Sequence, residues 1–176
     1  MANTKWIIDP AHSEISFKAK HLMITHVSGE FDEFNSELET DGENFETGKL
    51  SFVAKVSSVN TGNEQRDTHL KSDDFFNAEK FPDLKFEASG LKKNGNGGYE
   101  LAGNLTIRDI TKPVKLHVEP AGIVKDPWGQ TKAGFSVEGK ISRKEFGLKW
   151  NALTEAGGAV VGDDIRILAE VQYVKQ

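Results

Sequence analysis

The sequence predicts an all-β protein built from antiparallel strands, and three observations carry that prediction. Apolar and polar residues alternate with a period of two along most of the chain, as they do in strands with one buried face. Clusters of Gly, Asn, Asp and Pro punctuate the alternation at regular intervals. Finally, 176 residues without a composition break or internal repeat read as one domain, 1–176, large enough to bury a real core.

The first regular strand is EISFKAKH, which sets Ile15, Phe17, Ala19 and His21 on one face and Ser16, Lys18 and Lys20 on the other. HLMITHVS (21–28) breaks the rhythm and reads as a turn or a helical turn. A noisier strand follows near Val27 to Leu38 and carries Phe31. KLSFVAKVSS then aligns Leu50, Phe52, Ala54 and Val56, and DLKFEASG aligns Leu84, Phe86 and Ala88. YELAGNLTIR offers Tyr99, Leu101, Leu105 and Ile107, and KPVKLHVE offers Val114, Leu116 and Val118. KAGFSVEGKIS contributes Ala133, Phe135, Val137 and Ile141, and DIRILAEVQYV closes the series with Ile165, Ile167, Ala169, Val171 and Tyr173. That makes about eight strands. DGENFETG (41–48), NGNGG (94–98), DPWG (126–129) and EAGG (155–158) mark turns between them, NGNGG being a strong hairpin signal because Asn and Gly tolerate positive φ.

One long stretch lacks alternation altogether. In NEQRDTHLKSDDFFNAEKFP, from Asn63 to Pro82, the first half reads as a helix capped by Asn60, Thr61 or Asn63, with Glu64 and Asp67 suited to its positive N-terminus. Ser72-Asp73-Asp74 then caps a second short helix that carries Phe75 and Phe76 and ends before Pro82.

Strands with one apolar face each must pack as two sheets or close into a barrel. Small residues among the large apolar ones (Gly29, Ala54, Gly103, Gly139) give the relief that a tapered barrel or a cavity needs, although a sandwich also alternates sizes. Phenylalanine supplies 11 of the aromatics, against 2 Tyr and 3 Trp, so the interior is apolar and asks for few aromatic hydrogen bonds.

Other function classes are poorly supported. A net charge of −5 argues against nucleic acid, whose affinity comes largely from Lys and Arg on phosphates. Without cysteine there is no disulfide or thiolate metal site. The 5 histidines include no pair at the spacing expected of metal ligands, so no metal is expected. No nucleophile elbow, P-loop or dinucleotide fingerprint occurs. His12 and Ser13 are neighbours but point to opposite faces of an extended chain. MANTKWIIDPAHSE holds no apolar run of signal-peptide or membrane-span length, which leads to the expectation of a cytoplasmic protein, or a periplasmic one if a leader was removed.

Five blocks occur in order: DPAHSEISFKAKHLMITHVSGEF, RDTHLKSDDFFNAEKFP, GNLTIRDITKPV, DPWGQTKAGFSVEGKISRKEFGLKWN and VVGDDIRILAEV. Together, from about Trp6 to Val174, they resemble the YceI-like, polyisoprenoid-binding family. Asp109 stands where the family often has Gly, a difference confined to a turn. The resemblance implies an extended, eight-stranded antiparallel lipocalin-like β-barrel with a short helical insertion near one end. It further implies a homodimer and a non-enzymatic role: holding a long apolar molecule, a polyisoprenoid or an isoprenoid quinone, for transport, storage or sequestration, with no cofactor. The competing readings are a hydrolase or isomerase that uses His69 with Asp67 or Asp74, and a β-sandwich module whose Phe faces are all core.

On the family reading, shared parity turns Phe17, Phe31, Phe52 and Phe86 inward, together with Ile107, Phe135, Val137 and Ile167. Phe75 and Phe76 turn in from the insertion. Arg66 and His69 stand near the barrel mouth, where Arg66 could meet a phosphate or carbonyl and His69 could donate a hydrogen bond. Alternatively, Arg66 and Asp67 simply pin the insertion to the barrel. Phe146 and Trp150, four apart around Gly147, are expected to reach the cavity from a loop beside the ligand entrance.

Overall fold

A strand edge must be paired, covered or closed, and this chain closes its edges. The computed structural model describes residues 3–95, 97–151 and 161–176. Part of the NGNGG signal (Asn96) and the whole EAGG signal lie outside the described residues.

Among the described residues there are twelve strands. They are β1 (Asn3–Ile8), β2 (Glu14–His21), β3 (Thr25–Phe31), β4 (Phe34–Asp41), β5 (Asn44–Lys55) and β6 (Val59–Asn60), followed by β7 (Asp83–Ser89), β8 (Lys92–Lys93), β9 (Tyr99–Ile107), β10 (Ile110–Lys125), β11 (Thr131–Ser142) and β12 (Val161–Lys175). One α-helix, α1 (Glu64–Lys71), lies between β6 and β7. Several strands are halves of a longer one. β1 and β2 share the same edge of β12, with Trp6 opposite Lys175 and Phe17 opposite Ile167. They part at Pro10, which has no N–H for the ladder, in a 3-10 turn capped by the Asp9 carboxylate on the Ala11 amide at 3.1 Å. In the same way β3 and β4 face β2 and β1, and β6 continues β5 past a 3-10 turn at Val56–Ser58.

The circuit β1-β4-β5-β7-β9-β10-β11-β12 returns to β1. Each pairing is antiparallel and, with β1/β2 and β3/β4 taken as single strands, joins successive strands of the chain until β12 closes on β1, so the sheet is a closed, eight-stranded up-and-down barrel. Following the strand directions, the 22–24 turn, α1, the Arg108-Asp109 turn and the 143–151 segment all gather at one end. The chain termini, the Gly42 turn and the Trp128 turn gather at the other.

The terminal end is plugged. Trp6 is wholly buried, stacks on Phe45 at 5.1 Å and donates its indole N–H to Thr40 Oγ1 at 2.9 Å. Phe45 meets Phe135 at 5.0 Å, and Phe135 meets Tyr173 at 6.2 Å. Ser36 Oγ donates to the Ser51 carbonyl at 2.7 Å, which leaves it to accept from the Tyr173 hydroxyl at 2.8 Å. Burial pushes the Tyr173 phenol up to about 12, with the Ser36 bond acting the other way.

One local expectation is narrowed, one strand was not anticipated, and one expected helix is absent. The turn expected within residues 21–28 is present but confined to 22–24, where Leu22 and Met23 take positive φ; it is not helical, and the flanking residues are strands of a hairpin with His21 paired to Thr25. Asn3–Ile8, which alternates weakly, is a strand because β12 and β4 both offer it a partner. The second short helix does not form. After α1, capped by Asn63 on the Arg66 amide at 3.0 Å, the chain folds back through the Phe76 amide on Leu70 O (3.0 Å) and the Ala78 amide on Lys71 O (2.8 Å). Two adjacent inward phenylalanines use up the residues that a helical face would need.

Candidate functional site

The plug fills only one end of the barrel. Above it, six side chains of β12 (Val161, Ile165, Ile167, Ala169, Val171 and Tyr173) face one internal, partly open cavity of about 220 Å³. The step from Val161 to Ile165 falls at a register shift; from there every second residue turns inward. Eight residues at about 3.3 Å each, tilted as barrel strands are, make the space about 20 Å deep along the axis. It is a slot rather than a round chamber, and its wall is almost wholly carbon. Depressions of about 520 and 340 Å³ on the outer wall are larger but open and lined by charged residues such as Glu37, Lys49, Glu119 and Glu170. They do not enclose a guest.

Of the residues expected to face this interior, Phe17, Phe31, Phe52, Phe86 and Ile107 line the cavity, as do Val137 and Ile167. Phe75 and Phe76 line it as well, joined by Leu70 of α1, so the insertion covers the end opposite the plug. Phe31 links the two sides, 5.7 Å from Phe17 and 5.9 Å from Phe76. The small residues do not hollow the barrel so much as seat its rings. A Cβ on Gly29 would stand 2.5 Å from Phe17 Cζ, and one on Gly103 would stand 2.5 Å from Phe86 Cζ.

Five expected residues stand off the cavity wall. Phe135 points inward but belongs to the plug, where Phe45 and Tyr173 occupy the space around it. Phe146 is 1% exposed and packed in the core rather than along the slot. Trp150 packs behind the wall, tilted against Phe75 at 5.4 Å and edge-on to His69 at 4.7 Å. His69 is turned outward to Asp74, with Nε2 and Oδ2 2.8 Å apart. Arg66 is bound within its own insertion: Nε donates to Thr61 Oγ1 and Nη2 to Thr61 O, both at 2.8 Å, while Asp67 accepts from the Thr61 amide at 2.8 Å. For His69 and Arg66 the physical reason is shared: an imidazole or guanidinium at the rim of the slot finds polar partners in the turn beside it, whereas the three aromatics are taken up by packing.

Arg143 is a further residue of the site, one not singled out from the sequence. It is 2% exposed, lines the cavity, and donates Nε to Gly162 O (2.9 Å), Nη1 to Leu148 O and Trp150 O (2.9 Å), and Nη2 to Val161 O (3.2 Å). Burial lowers its pKa from the usual guanidinium value, and the nearby Asp163 carboxylate acts in the opposite sense. A signal for it was present: Phe135, Val137, Gly139 and Ile141 share the inward parity of β11, and Arg143 continues it. Arg108, also unnoticed, fixes the insertion by donating to Asp73 O and Phe75 O at 2.9 and 2.8 Å, and by pairing with Asp73 at 2.9 Å.

Fold and site thus define a class: a closed antiparallel β-barrel with an apolar internal slot, plugged at one end and covered at the other by an insertion. Residues 6–173 match the YceI-like domain, and the chain belongs to that family. It is 37% identical over 171 residues to the UPF0312 protein SA2479 of Staphylococcus aureus strain N315, with 97% of both chains covered. Among solved structures, the Campylobacter jejuni YceI protein superposes with a TM-score of 0.75 at 36% identity, covering 89% of this chain and 90% of that one. Burkholderia cenocepacia BcnA superposes with a TM-score of 0.80 at 22% identity, covering 94% and 98%. A polyisoprenoid binding domain from Saccharophagus degradans shares the fold, with a TM-score of 0.68 at 14% identity over 97% and 98% of the chains.

Proposed function

We propose that this barrel is a non-catalytic binding protein that holds a long-chain apolar ligand, a polyisoprenoid or an isoprenoid quinone, for transport, storage or sequestration. The observation that carries the reading is the inward face of β12, where five alternate side chains from Ile165 to Tyr173 line one narrow slot about 20 Å deep. Such a slot suits a flexible chain better than a fused ring system. Removing that chain from water contributes about 2.5 kcal/mol per 100 Å² of apolar surface, less the ordering cost of binding. The S. degradans domain, described as polyisoprenoid binding, supports the same ligand class. Homodimerisation, implied by the family, belongs to this proposal and is tested by sedimentation.

The reading of a hydrolase or isomerase is disfavoured by geometry. His69 is off the cavity wall, Asp67 is committed to Thr61, and Phe75 stands between the His69–Asp74 pair and the slot. The test is organic extraction of the purified protein followed by mass spectrometry, alongside native mass spectrometry of the intact complex. A stoichiometric long-chain lipid is expected. A protein that neither retains nor takes up such a chain in the folded state overturns the proposal.

A further inference from the structure

Among the described residues Arg143 is one of three buried polar or charged side chains, and the other two differ from it in kind. Ser36 and Thr40 lie toward the plugged end and close neutral hydrogen-bond chains with Tyr173 and Trp6. Arg143 brings a full charge to an apolar wall near the covered end. Every acceptor it uses is a backbone carbonyl, and among the described residues no carboxylate lies within ion-pair distance of it. The carboxylate whose field reaches it, Asp163, is directed elsewhere: Oδ2 accepts from Ser142 Oγ at 2.6 Å and Oδ1 from the Lys144 amide at 3.2 Å.

A guanidinium has five N–H donors in a planar fork. The four bonds above hold Nε, both hydrogens of Nη1 and one of Nη2, so one Nη2 hydrogen is left over. Carbonyl dipoles orient the group without neutralising it, and a buried cation without an anion is costly. The site therefore has a fixed, dehydrated positive charge, a spare donor and a long apolar slot beginning beside it.

We propose that the ligand carries an anionic head group, a carboxylate or a phosphate, which seats against Arg143 while its chain runs down the slot toward Tyr173. The spare Nη2 hydrogen gives one charge-assisted bond to an anion oxygen, and the guanidinium charge, which its carbonyl acceptors leave unneutralised, supplies the rest of the attraction. The inference rests on the lipid-binding reading above and adds the charge and position of the head group, which favours a chain ending in phosphate or carboxylate over a neutral quinone.

The test compares affinities of the whole protein for paired probes: dodecanoate against dodecanol, and farnesyl phosphate against farnesol. Each anion is expected to bind about ten- to hundredfold more tightly than its alcohol, the range of a charge-assisted hydrogen bond. A preference in only one pair identifies the source, fatty acid or prenyl phosphate, and still supports the proposal. Equal affinity within both pairs overturns it while leaving lipid binding intact. Binding of neither anion nor alcohol overturns the lipid reading, and this inference with it. In Arg143→Met the preference is expected to vanish with alcohol binding retained; a folded variant that keeps the preference overturns the assignment. Because Arg143 also ties down the 148–150 carbonyls, a readout without substitution accompanies it. Carbon NMR of carboxyl-labelled dodecanoate on the unaltered protein should show the bound carboxyl ionised well below the pH at which ordinary carboxylates titrate, and titration at or above that range overturns the proposal.

Discussion

The Arg108 guanidinium donates to the Phe75 carbonyl at 2.8 Å, and through that bond the β9–β10 turn holds the cover of the cavity in place. Two more bonds to Asp73 and a position 5.3 Å from the Phe81 ring complete the clamp. Arg108→Ala is expected to lower stability by about 1–3 kcal/mol. It should also speed hydrogen exchange across residues 72–82 and accelerate both uptake and release of a lipid probe. Unchanged exchange in that segment would show that the cover is held by its phenylalanines alone.

Arg66 should behave differently. Its bonds stay within the insertion, on Thr61, and the side chain is partly exposed. Arg66→Ala is expected to reduce stability by about 1 kcal/mol and to leave the dissociation constant of a bound lipid unchanged. If affinity drops in a fully folded variant, Arg66 serves the ligand rather than the loop.

Gly29 sets the position of Phe17. In Gly29→Ala the new methyl would stand 2.5 Å from Phe17 Cζ and 2.9 Å from Thr61 Cγ2, so the ring must swing into the slot. The expected result is a loss of about 1–3 kcal/mol together with weaker lipid binding. Adding Phe17→Leu should restore part of both, and a double-mutant cycle measures that coupling. Strict additivity would mean that the two residues do not share the space.

Tyr173 makes stability sensitive to alkali. Its pKa is raised in the folded state, from 10.0 to about 12. The contribution is therefore fully present below pH 10 and is lost as pH rises through about 12, up to about 3 kcal/mol for two pH units. Tyr173→Phe loses one hydrogen bond at neutral pH, about 1 kcal/mol, but lacks this alkaline loss. Denaturant midpoints measured for both proteins between neutral pH and the alkaline limit should converge and then cross. Parallel curves would show that the phenol is not held neutral by the plug.

Much of the barrel was legible in one dimension. Which face of each strand turns inward is a matter of parity between near neighbours, so Phe17, Phe52, Phe86, Val137 and Ile167 could be read directly, and so could Arg143, by continuing the phase of Ile141. The Asn63 cap was equally local, since its partner is three residues away. Tertiary structure alone decided which inward residues line a space and which fill it. Phe135 and Ile167 have the same sequence signal, yet one is packed against Phe45 and Tyr173 and the other faces the slot. That difference depends on partners far along the chain, as in the Tyr173–Ser36 bond across 137 positions. Alternation specifies that a side chain points inward; only closure of β12 onto β1 brings in the residues opposite, and their combined volume determines whether the interior is plug or cavity.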